Sequence, residues 1–120
     1  MPTLETGQKL VELCKQSKNL EAIDTLYSQD IVSVESKPFE GLSAEMHGIN
    51  AIRQKNIRWF ETQKINSSSV EGPFIHGDRF SVNFKTNVTN KNDGKTQDLQ
   101  EVGLYTVKQD KIVKEEFFSS

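Results

Sequence analysis

One cysteine in 120 residues excludes an internal disulfide, and Cys14 falls on the apolar side of a helical pattern as a small buried side chain. No apolar run approaches the roughly 20 residues of a membrane helix, so no membrane segment is expected. The opening Met-Pro-Thr-Leu-Glu has neither a basic region nor an apolar stretch, so no signal peptide is expected and a cytoplasmic address follows. In that setting Asn66-Ser67-Ser68 and Asn87-Val88-Thr89 read as chance matches to the glycosylation pattern. Fifteen basic residues against seventeen acidic ones give a net charge of -2, and the Lys and Arg are scattered. Nucleic-acid affinity rests largely on clustered positive charge, so that class of partner is disfavoured and none is expected. There is no His-x-x-x-His, His-x-His or Cys-x-x-Cys, and the glycines are isolated, so neither a metal, a cofactor nor a phosphate loop is expected. Internal repeats are also lacking.

What remains is one domain, 1–120, whose 34% apolar content provides a modest core. Residues 4–17 carry helical spacing, with Leu10, Leu13 and Cys14 on one face. Asn19 is placed to cap a second short helix bearing Leu20, Ile23, Leu26 and Tyr27, ended by Asp30. Ile31–Glu35 reads as a strand, and 36–47 as a loop of lid-like length. A third helix covers about 48–64, with Ile49, Ile52, Asn56, Trp59 and Phe60 inward and Arg53, Lys55 and Arg58 outside.

Residues 67–118 read as four strands joined by tight turns at Gly77-Asp78, Asp93-Gly94 and Gln109-Asp110. Two-residue loops at all three would set four cross-strand rows on one face. They are Ile75-Phe80-Val107-Ile112, Pro73-Val82-Tyr105-Lys114, Glu71-Phe84-Gly103-Glu116 and Ser69-Thr86-Glu101-Phe118. The first row is wholly apolar; the last two put Glu71, Glu101 and Glu116 beside Phe84 and Phe118. Carboxylates on a core-facing surface need a reason, and a pocket is one. Helices first and an antiparallel sheet last is an α+β layout. On the other face Val102, Leu104, Val113 and Phe117 form an apolar strip suited to a homodimer.

This order of elements resembles the nuclear-transport-factor-2-like fold, and within it the SnoaL-like group. Gly48-Ile49-Asn50-Ala51-Ile52 with Trp59-Phe60 is similar to the group's third helix, and Gly103–Val113 to its closing hairpin. The resemblance implies a cone-shaped curved antiparallel sheet wrapped around a long helix, with a pocket inside and dimers through the convex face. Members include polyketide cyclases, isomerases, dehydratases and non-catalytic association domains, so the fold does not select among them. The last strand here offers Glu115-Glu116 where cyclases place an Asp, so no catalytic residue transfers.

The candidate site is therefore read from the register: Glu101 and Glu116 as acid and base, with Trp59, Phe60, Glu71, Phe84, Tyr105 and Phe118 contacting ligand. Crowded buried carboxylates resist double ionisation, which leaves an acid beside a base. The expected ligand is a hydrophobic, oxygen-bearing small molecule, with cyclase-, isomerase- or dehydratase-type chemistry as the enzyme reading. The alternative is a non-catalytic homodimeric scaffold whose cone is filled by its own side chains. At residue level, Glu116 has the competing role of an ion pair with Lys114, and a bulge at Gly72-Pro73 would turn Glu71 to the other face. Gly103 marks either a sheet bend or room for ligand. His47 is a candidate at the mouth of the third helix, although helix-start histidines without function are commoner; His76 reads as a surface side chain.

Overall fold

A computed structural model describes residues 2–36 and 44–119. Most of the loop read as lid-like, with Pro38 and Gly41, lies outside the described residues. The order is α1 (Pro2–Lys15), α2 (Asn19–Leu26), β1 (Tyr27–Glu35), β2 (Glu45–His47), α3 (Ile49–Thr62), β3 (Gln63–His76), β4 (Arg79–Asn90), β5 (Thr96–Lys108) and β6 (Lys111–Ser119). The fold is α+β: one curved, unclosed sheet of six strands in the order β2-β1-β6-β5-β4-β3, with the helices against its concave side. Five neighbour pairs make this sheet, and four are antiparallel; β1 runs parallel to β6.

Helix α1 packs on β3 and β4. Gly7 permits this closeness, because a Cβ there would lie 2.8 Å from the Pro73 side chain. Leu10, Ile23 and Ile52 from the three helices meet Phe80, Val107 and Ile112 of the sheet in the buried core. The wholly apolar row expected at this end of the sheet is broken: Phe80 lies opposite Tyr105 rather than Val107, and Ile75 is exposed. Asn19 is the first residue of α2 rather than its cap, and no side chain caps that helix. The helix gives way to β1 at Tyr27, earlier than Asp30.

Register decides which side chains enter the cone, and it differs from the two-residue-loop reading in three places. The β3–β4 hairpin closes as expected, pairing His76 with Arg79 and Ile75 with Phe80. A bulge between Glu71 and Phe74 then shifts the ladder, so Glu71 pairs with Asn83 on the outer face and Val70 opposes Phe84 within. Gly72 absorbs the bulge with φ +135°, a region that side chains avoid. The β4–β5 turn is wider than two residues, with the Asn90 amide bonded to the Lys95 carbonyl. That slides Glu101 opposite Phe84 but preserves every side chain's face.

The third difference matters most. Gln109 and Asp110, both at positive φ, make the expected tight turn, with Lys108 opposite Lys111 and Val107 opposite Ile112. The ladder then slips: Thr106 pairs with Lys114, leaving Val113 as the bulged residue. Beyond it every side chain of β6 is reversed. Glu115, Phe117 and Ser119 face the cone, whereas Glu116 and Phe118 face out.

Candidate functional site

A cavity of about 520 Å³ lies between the helices and the concave face of the sheet. Leu10 and Ala22, with Trp59 and Phe60 of α3 and Val70 and Phe84 of the sheet, give it apolar walls. Glu35, Lys55, Glu101, Tyr105 and Glu115 supply polar groups. Trp59 and Phe60 meet edge to face with ring centroids 5.2 Å apart.

Deep in the cone Glu115 is 1% exposed. A buried carboxylate is tolerable only when its oxygens are occupied, and these are. The Tyr27 hydroxyl donates to Oε2, and Ser33 Oγ donates to Oε1 at 2.9 Å. Lys55 Nζ donates to Ser33 Oγ at 2.9 Å and stands 3.7 Å from Glu115 Oε1. The same ammonium bonds Glu35 Oε1 at 2.9 Å and lies over the Phe117 ring, 5.2 Å from its centroid. Burial raises the Glu115 pKa, while Lys55 and the two hydroxyl donors pull it back. Burial and the adjacent Glu115 hold the Tyr27 and Tyr105 hydroxyls protonated, well above their ordinary range.

Parallel pairing of β1 with β6 explains this cluster, since it sets Ser33 opposite Glu115 and Glu35 opposite Phe117. Lys55 joins from α3 because Ile52, Lys55, Asn56 and Trp59 share one helical face. Lys55 is expected outside the inward stripe. Its side chain is instead only 11% exposed, with the stem lying along apolar surface and the head in the cluster.

Farther up the same face Glu101 is only partly buried and accepts one bond, from Ser119 Oγ at 3.3 Å. Burial, then repulsion from Glu35, push its pKa from 4.5 up to about 7. Between the two carboxylates stands Tyr105, paired with Glu115 across the strands, stacked on Phe80 at 5.0 Å and edge-on to Phe117 at 6.1 Å. Tyr105 is 2% exposed, and its hydroxyl has no hydrogen-bond partner among the described residues. Gly103 makes room for this ring: a Cβ there would lie 2.8 Å from Tyr105 Cε2 and 3.0 Å from the hydroxyl. The missing side chain serves the tyrosine rather than a ligand.

Of the residues singled out from sequence, the structure brings Glu101, Trp59, Phe60, Phe84 and Tyr105 to the cavity. Three are placed elsewhere. Glu71 is exposed on the outer face beyond its bulge. Glu116 faces out and lies 3.8 Å from Lys114, the ion-pair role weighed against it. Phe118 is 52% exposed on that face, and Phe117, expected there in the apolar strip, lines the cavity. His47 is exposed and pairs with Glu45 at 3.0 Å. Glu115, Glu35, Ser33, Tyr27 and Lys55 are the members that sequence reasoning missed. Cys14 reaches the cavity wall from α1, and burial keeps its thiol protonated, with a pKa of about 12.

Chemically the cone pairs a fully bonded carboxylate with one that gains or loses a proton near neutrality, and sets a free phenol between them. Among the described residues no group of three or more His, Cys, Asp or Glu is placed to hold a metal ion. No described helix is long and apolar enough to cross a membrane.

A family model described as a SnoaL-like domain matches residues 1–119. A solved structure of a candidate SnoaL-like polyketide cyclase from Mesorhizobium loti is 42% identical, covers 95% of this chain and 96% of its own, and superposes with a TM-score of 0.87. A protein of unknown function with a cystatin-like fold from Xanthomonas campestris is 16% identical, with TM-score 0.80 over 100% of this chain and 92% of that one. A candidate isomerase from Bacillus subtilis is 13% identical, with TM-score 0.78 over 99% and 86%. These two show likeness of fold alone. No curated protein matches in sequence.

Proposed function

This chain belongs to the SnoaL-like domain family, and from that membership we propose that its cone binds a small hydrophobic, oxygen-bearing molecule and moves a proton on it. One observation carries the reading: a carboxylate held by a single hydroxyl, with a pKa of about 7, and the Tyr105 phenol face the same cavity with its aromatic wall. Glu101 is the proton-transfer group in this proposal, since its pKa allows it to act as base or acid near neutral pH. The Tyr105 hydroxyl, held protonated, donates to the ligand oxygen as negative charge develops there. Glu115 anchors Tyr27, Ser33 and Lys55 and so fixes the polar wall without touching the reacting atoms. The reaction class is proton abstraction next to a carbonyl, the step shared by cyclisation, isomerisation and dehydration. A candidate cyclase as a 42% identical relative fits that class.

The test is exchange of the α-protons of 2-tetralone in D2O, followed by NMR. Exchange should be faster than in buffer, should rise with one ionisation near pH 7, and should fall to the buffer rate in Glu101→Gln. Exchange no faster than buffer with the wild-type protein would remove the acid–base role.

Association between copies is a separate proposal, favoured by the exposed Phe74 (54%) and Phe118 (52%) beside Val102, Leu104 and Val113. Phe118 replaces Phe117 in that strip. A sedimentation profile that stays monomeric at micromolar concentration would dismiss it. The scaffold version of this idea needs a cone filled by its own side chains, and a cavity of about 520 Å³ argues against that.

A further inference from the structure

The charges facing the cone do not balance. Four carboxylates line a cavity that holds one ammonium, that of Lys55: Glu35, Glu101 and Glu115 within, and Asp98, exposed and accepting from the Asn87 amide at 2.8 Å. Lys55 is committed to the deep pair, at 2.9 Å from Glu35 and 3.7 Å from Glu115. Glu101 is left with a single hydroxyl, that of Ser119.

A second observation, independent of the acidic side chains, marks the same space as a place for ligand. Gln63 Oε1, on the cavity wall, is buried with no hydrogen-bond partner among the described residues, and the Tyr105 ring lines the same space. Buried polar atoms ordinarily have one. The surrounding wall is aromatic, with Trp59, Phe60 and Phe84 all facing the cavity. The cone already uses a cation over a ring once, where Lys55 sits above Phe117. The carboxylates are too dispersed to converge on a metal ion. Spread negative charge with aromatic faces suits a diffuse organic cation instead.

We propose that the ligand of this cone carries a protonated or quaternary amine on an apolar body, its positive charge seated between Glu101 and the aromatic wall and its oxygen on Tyr105. This rests on the reading of the cone as a ligand site and adds the charge of the molecule it takes. The groups that set the behaviour of Glu101 come from three other elements: Glu35 on β1, Lys55 on α3, and Glu115 and Ser119 on β6, with Tyr105 on its own strand. Two of the charged three are negative, so a bound cation relieves repulsion that Lys55 leaves uncancelled. Binding should strengthen as pH rises through about 7, where Glu101 becomes charged.

The probes are 4-(hydroxymethyl)phenyltrimethylammonium and its neutral isostere 4-tert-butylbenzyl alcohol, which share a shape and a non-titrating hydroxyl. Calorimetry or Trp59 fluorescence at pH 8 should give the cation at least a tenfold lower Kd. That margin should shrink severalfold at pH 5.5 and vanish in Glu101→Gln. Glu101→Asp should keep part of the preference, which guards against loss through misfolding. Equal affinities, a preference for the alcohol, or a margin indifferent to Glu101→Gln would overturn the proposal. If only the alcohol binds, the cone remains a ligand site and this inference alone falls. If neither probe binds, both readings fail.

Discussion

Glu115 and Glu101 stand on the same concave face, on neighbouring strands, and differ in almost everything that decides a carboxylate's role. Glu115 is 1% exposed, with two hydroxyl donors and an ammonium beside it. Glu101 is partly open, accepts one long bond, and has its pKa lifted to about 7. Burial acts on both; at the deep site two hydroxyl donors and the adjacent ammonium oppose it, whereas at Glu101 one hydroxyl and the charge of Lys55 do not cancel it. A pocket-facing carboxylate thus becomes structural when its oxygens are filled and available for chemistry when they are not.

Removing the deep group should have the largest effect. Glu115→Ala leaves Tyr27, Ser33 and Lys55 without their shared acceptor in a dry site, at a cost of about 3–5 kcal/mol in urea unfolding. A loss under 1 kcal/mol would erase the contrast between the two sites. Lys55→Met should cost about 2–4 kcal/mol, since it strands Glu35 and Glu115. It should also raise the pKa of Glu101, because the ammonium lowers it now; an unmoved titration would show that the two sites are electrically separate.

Gly103→Ala should cost about 1–3 kcal/mol, as its Cβ would meet the Tyr105 ring at 2.8 Å and drive it off Phe80. Loss of ring-current shifts in the NMR spectrum would report that displacement.

The smallest effect belongs to Glu101→Gln. A raised carboxyl pKa means that the folded state binds the proton more tightly than the unfolded chain. Stability from this group is therefore fully present below about 4.5 and declines as pH rises to about 7. Glutamine should abolish that decline and stabilise the protein above pH 7 by on the order of 1–2 kcal/mol. Parallel stability profiles for the two proteins across this range would contradict the assignment.

How much of this was legible in the sequence follows from how strands announce themselves. The α+β order, the tight turns at Gly77-Asp78 and Gln109-Asp110 and the inward face of β5 all come from local residues, whereas the wider β4–β5 turn breaks the apolar end row by setting Phe80 opposite Tyr105. Glu101 and Tyr105 were found because β5 alternates cleanly. Its partner β6 does not: Lys114-Glu115-Glu116-Phe117-Phe118 places one carboxylate and one phenylalanine on each face in either phase. A bulge at Val113, with no Gly or Pro to mark it, then decided which pair faced inward. The bulge near Glu71 was foreseeable because Gly72-Pro73 flags it. Lys55 is read as outside the inward stripe, yet its position between Ile52 and Trp59 puts it on the same helical face, where a lysine calls for a buried acid as partner. The parallel pairing of β1 with β6, which delivers Ser33 and Glu35, is a tertiary event that no local pattern encodes.

The division between the two carboxylates can be read directly by 13C NMR titration of the glutamate side chains, with Glu101→Gln and Glu115→Gln to assign the two resonances. One resonance, absent from Glu101→Gln, should titrate with a midpoint near 7. A midpoint for Glu101 at the ordinary 4.5 would contradict the account, since that carboxylate would then be no different from one in water.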